Sequence, residues 1–146
     1  MLSSFQTHSV RMEAFLLVTV QAPSEDVDRI ARADGEMTPL QIGHYDQNTF
    51  EVTGGLERYR PLEGAAAGAE TDLRKRPGVS TLSFQIPPNQ ELLEAIVERI
   101  FQQHSYQEPV IMVQTVLASR SKGLDDRSNP NRWWNTTGDW KKKQPA

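Results

Sequence analysis

Residues 79–101 read VSTLSFQIPPNQELLEAIVERIF, in which a strand-like alternation is followed by a helix-like stripe. Apolar side chains at 82, 84 and 86 alternate with polar ones at 81, 83 and 85, which predicts a strand with one covered face. Pro87 and Pro88 end this strand, and Asn89 can cap a helix behind them. Apolar residues at 92, 93, 96, 97, 100 and 101 then form one broad stripe, which predicts a helix over 90–103.

A second strand-and-helix unit precedes this one. Residues 12–20 are mostly aliphatic and form a short run, which predicts a buried strand. Ser24 is expected to cap the next helix, with Glu25 and Asp26 in its first turn, where the helix dipole favours negative charge. Gly35 is expected to end that helix in the left-handed conformation.

Two further strands complete the pattern. Residues 47–53 predict a strand that ends at the glycine pair 54–55. Residues 56–78 show no clear period and predict a long loop, with at most a short hairpin, of the kind that is usually functional or contacts a partner. Residues 109–117 are nearly all apolar, which predicts a central, covered strand.

The order strand, helix, strand, strand, helix, strand indicates an α+β fold. It predicts a ferredoxin-like split βαβ sandwich, with a four-stranded antiparallel sheet and two helices on one face. The predicted domain is 12–117, between a flexible N-terminus (1–11) and an irregular C-terminal arm (118–146).

The C-terminal arm contains every tryptophan of the chain, at Trp133, Trp134 and Trp140. Tryptophans are favoured anchors at interfaces, so they are candidate interface residues. The arm could dock on its own sheet or a neighbouring subunit, or capture a separate partner. A disordered end is the third interpretation.

Composition excludes several classes of protein. The chain has 146 residues, which suits one domain, and no cysteine, which excludes disulfides, thiol catalysis and cysteine-based zinc sites. A net charge of -3 and a pI near 5.6 argue against a nucleic-acid partner. No signal peptide is visible and no apolar run could span a bilayer, so we expect a cytoplasmic protein without a membrane partner.

Four short motifs follow one another between residues 14 and 117. They are VQAP (20–23) before Val27, IGHYDQNTF (42–50), YRP (59–61) with GAAAG (64–68), and HSYQEP (104–109). Their order resembles the insert domain of the YqfO-type proteins, which is similar to the PII and CutA group of ferredoxin-like domains. Ser105, Gln107 and Asn48 stand where that family has Pro, Glu and Cys.

The resemblance implies a fold and a habit of self-association, because relatives in the PII and CutA group form trimers. A homo-oligomer is therefore expected, with a trimer favoured over a dimer. The two-metal core that flanks the insert in full-length relatives is absent here, so the resemblance carries over no hydrolase activity.

The segment 104–109 is the best local candidate for a ligand site. It contains His104, Tyr106 and Glu108 between a predicted helix and strand. A second polar cluster, formed by His44, Tyr45 and Asp46, could approach it in the resembling fold. His104, Glu108 and His44 would then be the ligands of a divalent metal, although no cofactor is expected. The alternatives are a helix end that uses His104 for its free carbonyls and a simple turn at 44–46.

Basic residues near the long loop form a weaker candidate. Arg58 and Arg60 could bind an anion, but acidic residues are interleaved with them and no glycine-rich phosphate loop is present. A solvated loop of mixed charge is the favoured interpretation.

We therefore expect a small oligomeric binding or regulatory module whose ligand is undetermined. One alternative is an enzyme, specifically a metal-assisted hydrolase that uses the His104 segment. No serine, histidine and acid triad supports catalysis, so this class is less favoured. The other alternative is a structural interaction domain that uses the tryptophan-bearing arm.

Overall fold

A computed structural model of the chain describes residues 2–123 and 127–135. The elements in chain order are strand β1 (Phe5–Gln6), strand β2 (Val10–Pro23), helix α1 (Ser24–Met37), strand β3 (Phe50–Tyr59), strand β4 (Arg74–Ile86), helix α2 (Gln90–Gln103), strand β5 (Val110–Ser121) and a single-turn 3₁₀-helix (Trp133–Asn135). None of the helices in these ranges is long and apolar enough to cross a membrane.

All neighbouring strands are antiparallel and belong to one sheet. Strand β2 pairs with β5 along one edge and with β4 along the other, and β4 pairs with β3. The short β1 lies beyond the end of β4 on the same edge of β2. The order β5-β2-β4-β3 is that of a ferredoxin-like split βαβ sandwich, so the predicted fold class is confirmed.

The core lies between the two helices and one face of the sheet. Val18 and Val20 of β2 pair with Phe84 and Leu82 of β4, and all four side chains are buried. The helices cover them with apolar residues at helical spacing, namely Val27 and Ile30 of α1 and Ile96 and Ile100 of α2. The alternation predicted over 79–86 therefore identified the covered face correctly.

Helix α2 forms where its sequence predicts. It spans Gln90–Gln103, and the Asn89 side chain accepts a hydrogen bond of 3.1 Å from the Leu92 main-chain N–H. This capping bond satisfies one of the free donors of the first turn.

Helix α1 differs from expectation at both ends. Pro23 occupies the N-cap, and the Ser24 hydroxyl instead forms a 2.7 Å hydrogen bond with the Ser80 hydroxyl of β4. The helix continues past Gly35 to Met37, so the predicted glycine stop is wrong. Gly35 serves close packing, because a Cβ atom there would lie 2.0 Å from the Gln47 side-chain oxygen.

The hairpin of β3 and β4 is longer than the sequence suggests. β3 continues through Gly54 and Gly55 to Tyr59, which pairs with Arg74, so the loop shrinks to 60–73. The glycine pair forms an irregularity in the ladder instead of a strand end. Gly54 has a φ of 85°, and a Cβ at Gly55 would lie 2.7 Å from the Val79 carbonyl oxygen.

The two outer segments also differ from expectation. The stretch expected to be a loose N-terminus contains β1 and the first two residues of β2. β5 extends to Ser121 and pairs only with β2 among the described strands, so it is an edge strand and not a central one. Of its apolar residues, Ile111 packs against the core and Ala118 is buried, whereas Met112 and Val113 are exposed.

The core packing can be tested on two adjacent residues of α2. Ile100 is fully buried, whereas Phe101 is 47% exposed. We expect Ile100→Ala to lower the free energy of unfolding by about 2–5 kcal/mol, because it leaves a cavity. Phe101→Ala is the matched control and should change it by about 0.5 kcal/mol. Urea denaturation measures both, and equal losses would contradict this assignment of the core.

Candidate functional site

His104 holds the α2–β5 loop (residues 104–109) against the end of β2. The ring is buried, its Nε2 lies 2.8 Å from the Gln21 carbonyl oxygen, and its Nδ1 accepts from the Tyr106 N–H at 3.1 Å. A carbonyl can only accept and a main-chain N–H can only donate, so the proton lies on Nε2 and the imidazole is neutral. Both ring nitrogens are thus used within the protein.

A buried carboxylate connects the same loop to α1. Asp26 Oδ2 accepts from the Ser105 N–H at 3.0 Å and from the Ser105 hydroxyl at 2.5 Å. Its other oxygen lies 2.8 Å from the Arg29 guanidinium, which also donates to the Gln103 carbonyl at the end of α2. Burial by itself raises the pKa of Asp26, but the hydrogen bonds from Ser105 and Arg29 outweigh it and leave that pKa lowered.

Tyr106 connects the loop to the hairpin. Its hydroxyl donates to Glu57 Oε1 of β3 at 2.7 Å. Burial, reinforced by Glu57, raises the pKa of Tyr106 to about 12, so the phenol stays protonated and remains the donor. Beside this pair, Arg76 of β4 donates to Glu25 Oε1 at 2.7 Å, and this ion pair joins the hairpin to the first turn of α1.

Gln107 makes the fourth connection, to the loop 60–73. Its side-chain oxygen accepts from the Ala66 N–H at 2.9 Å, and its side-chain nitrogen donates to the Gly64 carbonyl at 3.3 Å. The α2–β5 loop therefore bonds to β2, α1, β3 and the hairpin loop together. Three of the family-like motifs meet at this end of the sheet.

The predicted metal site is not assembled in the described ranges. His44, Tyr45 and Asp46 are exposed, and His44 lies in a tight turn closed by paired hydrogen bonds between Ile42 and Tyr45. Nowhere in 2–123 or 127–135 do three His, Asp or Glu side chains converge as metal ligands would. His104 fits a metal poorly, because coordination would break one of its two hydrogen bonds. In the structure, residues 44–46 belong to a turn, which was the alternative interpretation of this segment.

The remaining predicted residues lie on the surface. Glu108, Arg58 and Arg60 are exposed. Trp134 is 51% exposed, and its ring meets that of Trp133 edge-on at 5.7 Å between centroids. Trp140 lies outside the described residues.

Sequence reasoning missed the partners that make the loop rigid. The sequence pattern assigned Asp26 to the helix dipole alone, and it placed Glu57 and Arg76 within the long loop predicted over 56–78. Their contacts join residues 79 positions apart for Asp26 and Ser105, and 49 apart for Glu57 and Tyr106. The one signal available was Ser105, a hydroxyl at a position where the resembling family has proline.

The sheet face opposite the helices is a second candidate surface, called the open face below. Register pairs Phe50 with Ser83, Ser83 with Thr19, and Thr19 with Met112, so one row of side chains crosses the sheet. The next row is Val52, Thr81, Gln21 and Val110. Both rows have polar centres on β2 and β4 and apolar ends on β3 and β5.

The apolar ends of these rows are exposed. The exposed fraction is 67% for Phe50, 54% for Val52 and 46% for Met112. At the far end of the face the Arg120 guanidinium lies 3.9 Å from the Phe15 ring centroid and donates to Gln85 at 3.0 Å, which covers that end. The bare apolar area is therefore concentrated at the two sheet edges near Phe50 and Met112.

Comparison with known proteins shows which solved structures share this fold. No protein-family model matches the chain, and no curated protein matches it. Among solved structures, a Bacillus cereus protein related to NIF3 is similar, with a TM-score of 0.60, 21% identity, and coverage of 75% of this chain and 27% of that one. This chain thus spans about a quarter of the length of that protein.

CutA proteins are similar over most of their own length. CutA from Xylella fastidiosa gives a TM-score of 0.51 at 16% identity, with coverage of 70% of this chain and 83% of that one. CutA1 from Oryza sativa gives 0.50 at 18%, with coverage of 72% and 82%. The chain shares the ferredoxin-like fold of the CutA group, as the motifs implied.

The connection between α1 and the loop can be tested by a double-mutant cycle. We expect Asp26→Asn to lower the free energy of unfolding by about 1–3 kcal/mol, because it removes a charged acceptor from Ser105 and Arg29. Asp26→Asn and Ser105→Ala should show a coupling energy of about 0.5–3 kcal/mol in urea denaturation. Asp28→Asn, on the exposed side of the same helix, is the control. Additive losses would show that the contact contributes nothing.

The same carboxylate predicts an acid dependence. Its pKa in the folded protein lies below the value of 3.8 for an unperturbed aspartate, so its stabilisation is complete above about pH 4 and is lost as the pH falls through the folded value. As the pH is lowered from 5 to about 2, the melting temperature of the Asp26→Asn variant should therefore fall less than that of the unmutated protein. Parallel curves would contradict the assignment.

Proposed function

We propose that this protein is a self-associating binding or regulatory module whose subunits meet through the open face and its two edge strands. The observation that carries the proposal is the open face itself, with exposed Phe50 and Val52 at one edge and Met112 at the other. Exposed apolar patches rimmed by polar residues are typical of interaction sites.

The arrangement of the patches favours a ring. Because the apolar residues lie at opposite edges of the same face, Phe50 of one subunit can meet Met112 of the next in a head-to-tail contact. Head-to-tail contacts close into rings of three or more subunits, whereas a dimer would need the same patch on both sides. We therefore propose a trimer, with a dimer as the second choice, in agreement with the resemblance to the PII and CutA group.

The edge strands support the same arrangement. Nine of the ten residues of β3 are exposed, and β5 has a strand neighbour on one side only among the described elements. Unpaired edges of this length invite pairing with another chain, and a ring would cover both of them.

We also propose a ligand site. We place it between subunits, near the exposed Glu108 and the turn at 44–46, with the α2–β5 loop as a rigid wall. The four connections of that loop support this role, because a site built on a fixed loop loses little entropy on binding. The relation to the YqfO-type insert domain and a cytoplasmic location are proposed on the motifs and on the absence of cysteine.

The assembly can be tested by light scattering coupled to size exclusion. The unmutated protein should elute as an oligomer, and Phe50→Glu should shift it to the monomer mass, because a carboxylate would be buried in an apolar contact. Phe101→Glu is the matched control, since Phe101 is also exposed but lies on α2. A monomeric unmutated protein, or equal dissociation by both variants, would contradict the proposal.

A further inference from the structure

Asp34 is a buried acid without a partner. Its side chain is completely buried in α1, and neither carboxylate oxygen has a hydrogen-bond donor within the described ranges. Asp26, two turns earlier in the same helix, shows the contrast, because its carboxylate accepts three hydrogen bonds from Ser105 and Arg29. A buried polar group without a hydrogen-bond partner destabilises the folded state, so such groups are rare in packed interiors.

One cation lies near this acid. The positive charge of Arg99 on α2 favours the charged form of Asp34. The Nη2 of Arg99 nevertheless donates to Glu36 at the surface, at 3.0 Å. Its buried Nε has no acceptor in the described part of the chain. The buried helix-facing side chains of β2 and β4 are uncharged: they are apolar except for Ser80, whose hydroxyl bonds to Ser24. After α1, His44 and Asp46 are both exposed. Among the described residues, Arg99 is therefore the cation that can compensate a charge on Asp34.

The burial of Asp34 changes how tightly its carboxyl group holds a proton. Burial raises the pKa of Asp34 to about 7, although the charge of Arg99 acts in the opposite direction. In the unfolded chain an aspartate has a pKa near 3.8, so between these values the folded protein holds a proton that the unfolded chain has released.

We propose that Asp34 is a proton-binding site that sets the partner of Arg99 and so controls the α1–α2 interface. When Asp34 is neutral, Arg99 stays with Glu36. When Asp34 releases its proton to solvent, the carboxylate draws Arg99 inward and the surface ion pair opens. The device is independent of the proposed self-association.

Stability against pH gives the first test. Because the folded protein binds the extra proton, the unfolding equilibrium constant should rise up to about tenfold per unit between pH 4 and pH 7 and level off above. Asp34→Asn should remove this slope between pH 5 and pH 8, whereas Asp28→Asn, exposed on the same helix, should keep it. Equal slopes in the unmutated protein and Asp34→Asn would overturn the proposal.

The second test needs no Asp34 variant. The carboxyl ¹³C shift of Asp34 in the unmutated protein should titrate near pH 7. Arg99→Gln should raise that midpoint, since it removes the compensating charge, and Glu36→Gln should lower it, since it releases Arg99. A midpoint below about pH 5, or one that neither variant moves, would overturn the proposal.

Discussion

Two helices cover one face of the sheet, and the rest of the structure follows from that asymmetry. The alternating side chains of β2 and β4 send Val18, Val20, Leu82 and Phe84 into the core, so their neighbours must point the other way. Those neighbours are polar at the centre of the sheet and apolar at its edges. A single sandwich layer thus creates both the hydrophobic core and the surface on which a second subunit can pack.

The polar end of the sheet is organised by a network of hydrogen bonds around the α2–β5 loop. Asp26 of α1 accepts hydrogen bonds from Ser105 of the α2–β5 loop. His104 and Tyr106 of the same loop bond to Gln21 of β2 and Glu57 of β3. Such a network rigidifies a loop because every buried donor and acceptor has a partner.

Two buried aspartates of α1 show how environment sets the behaviour of one residue type. Asp26 lies where a loop and an arginine can donate to it, and its charge stabilises the fold. Asp34 is buried without a hydrogen-bond donor in the described residues, while Arg99 is engaged by Glu36, so a charge on Asp34 is unfavourable there. The helix therefore responds in opposite directions to protons at its two ends.

The local sequence pattern was enough to predict the order of the main elements, the bounds of α2 and the covered face of β4, and hence the fold. Each of these depends on the spacing of apolar residues along a short stretch of sequence. The turn at 44–46 also follows from local chemistry. The role of His104, the edge position of β5 and the partners of Asp26 and Asp34 were decided by the tertiary structure. Each depends on contacts between distant residues, as between His104 and Gln21, 83 positions apart, and a hydrogen bond or its absence in the core cannot be read from neighbours in the sequence.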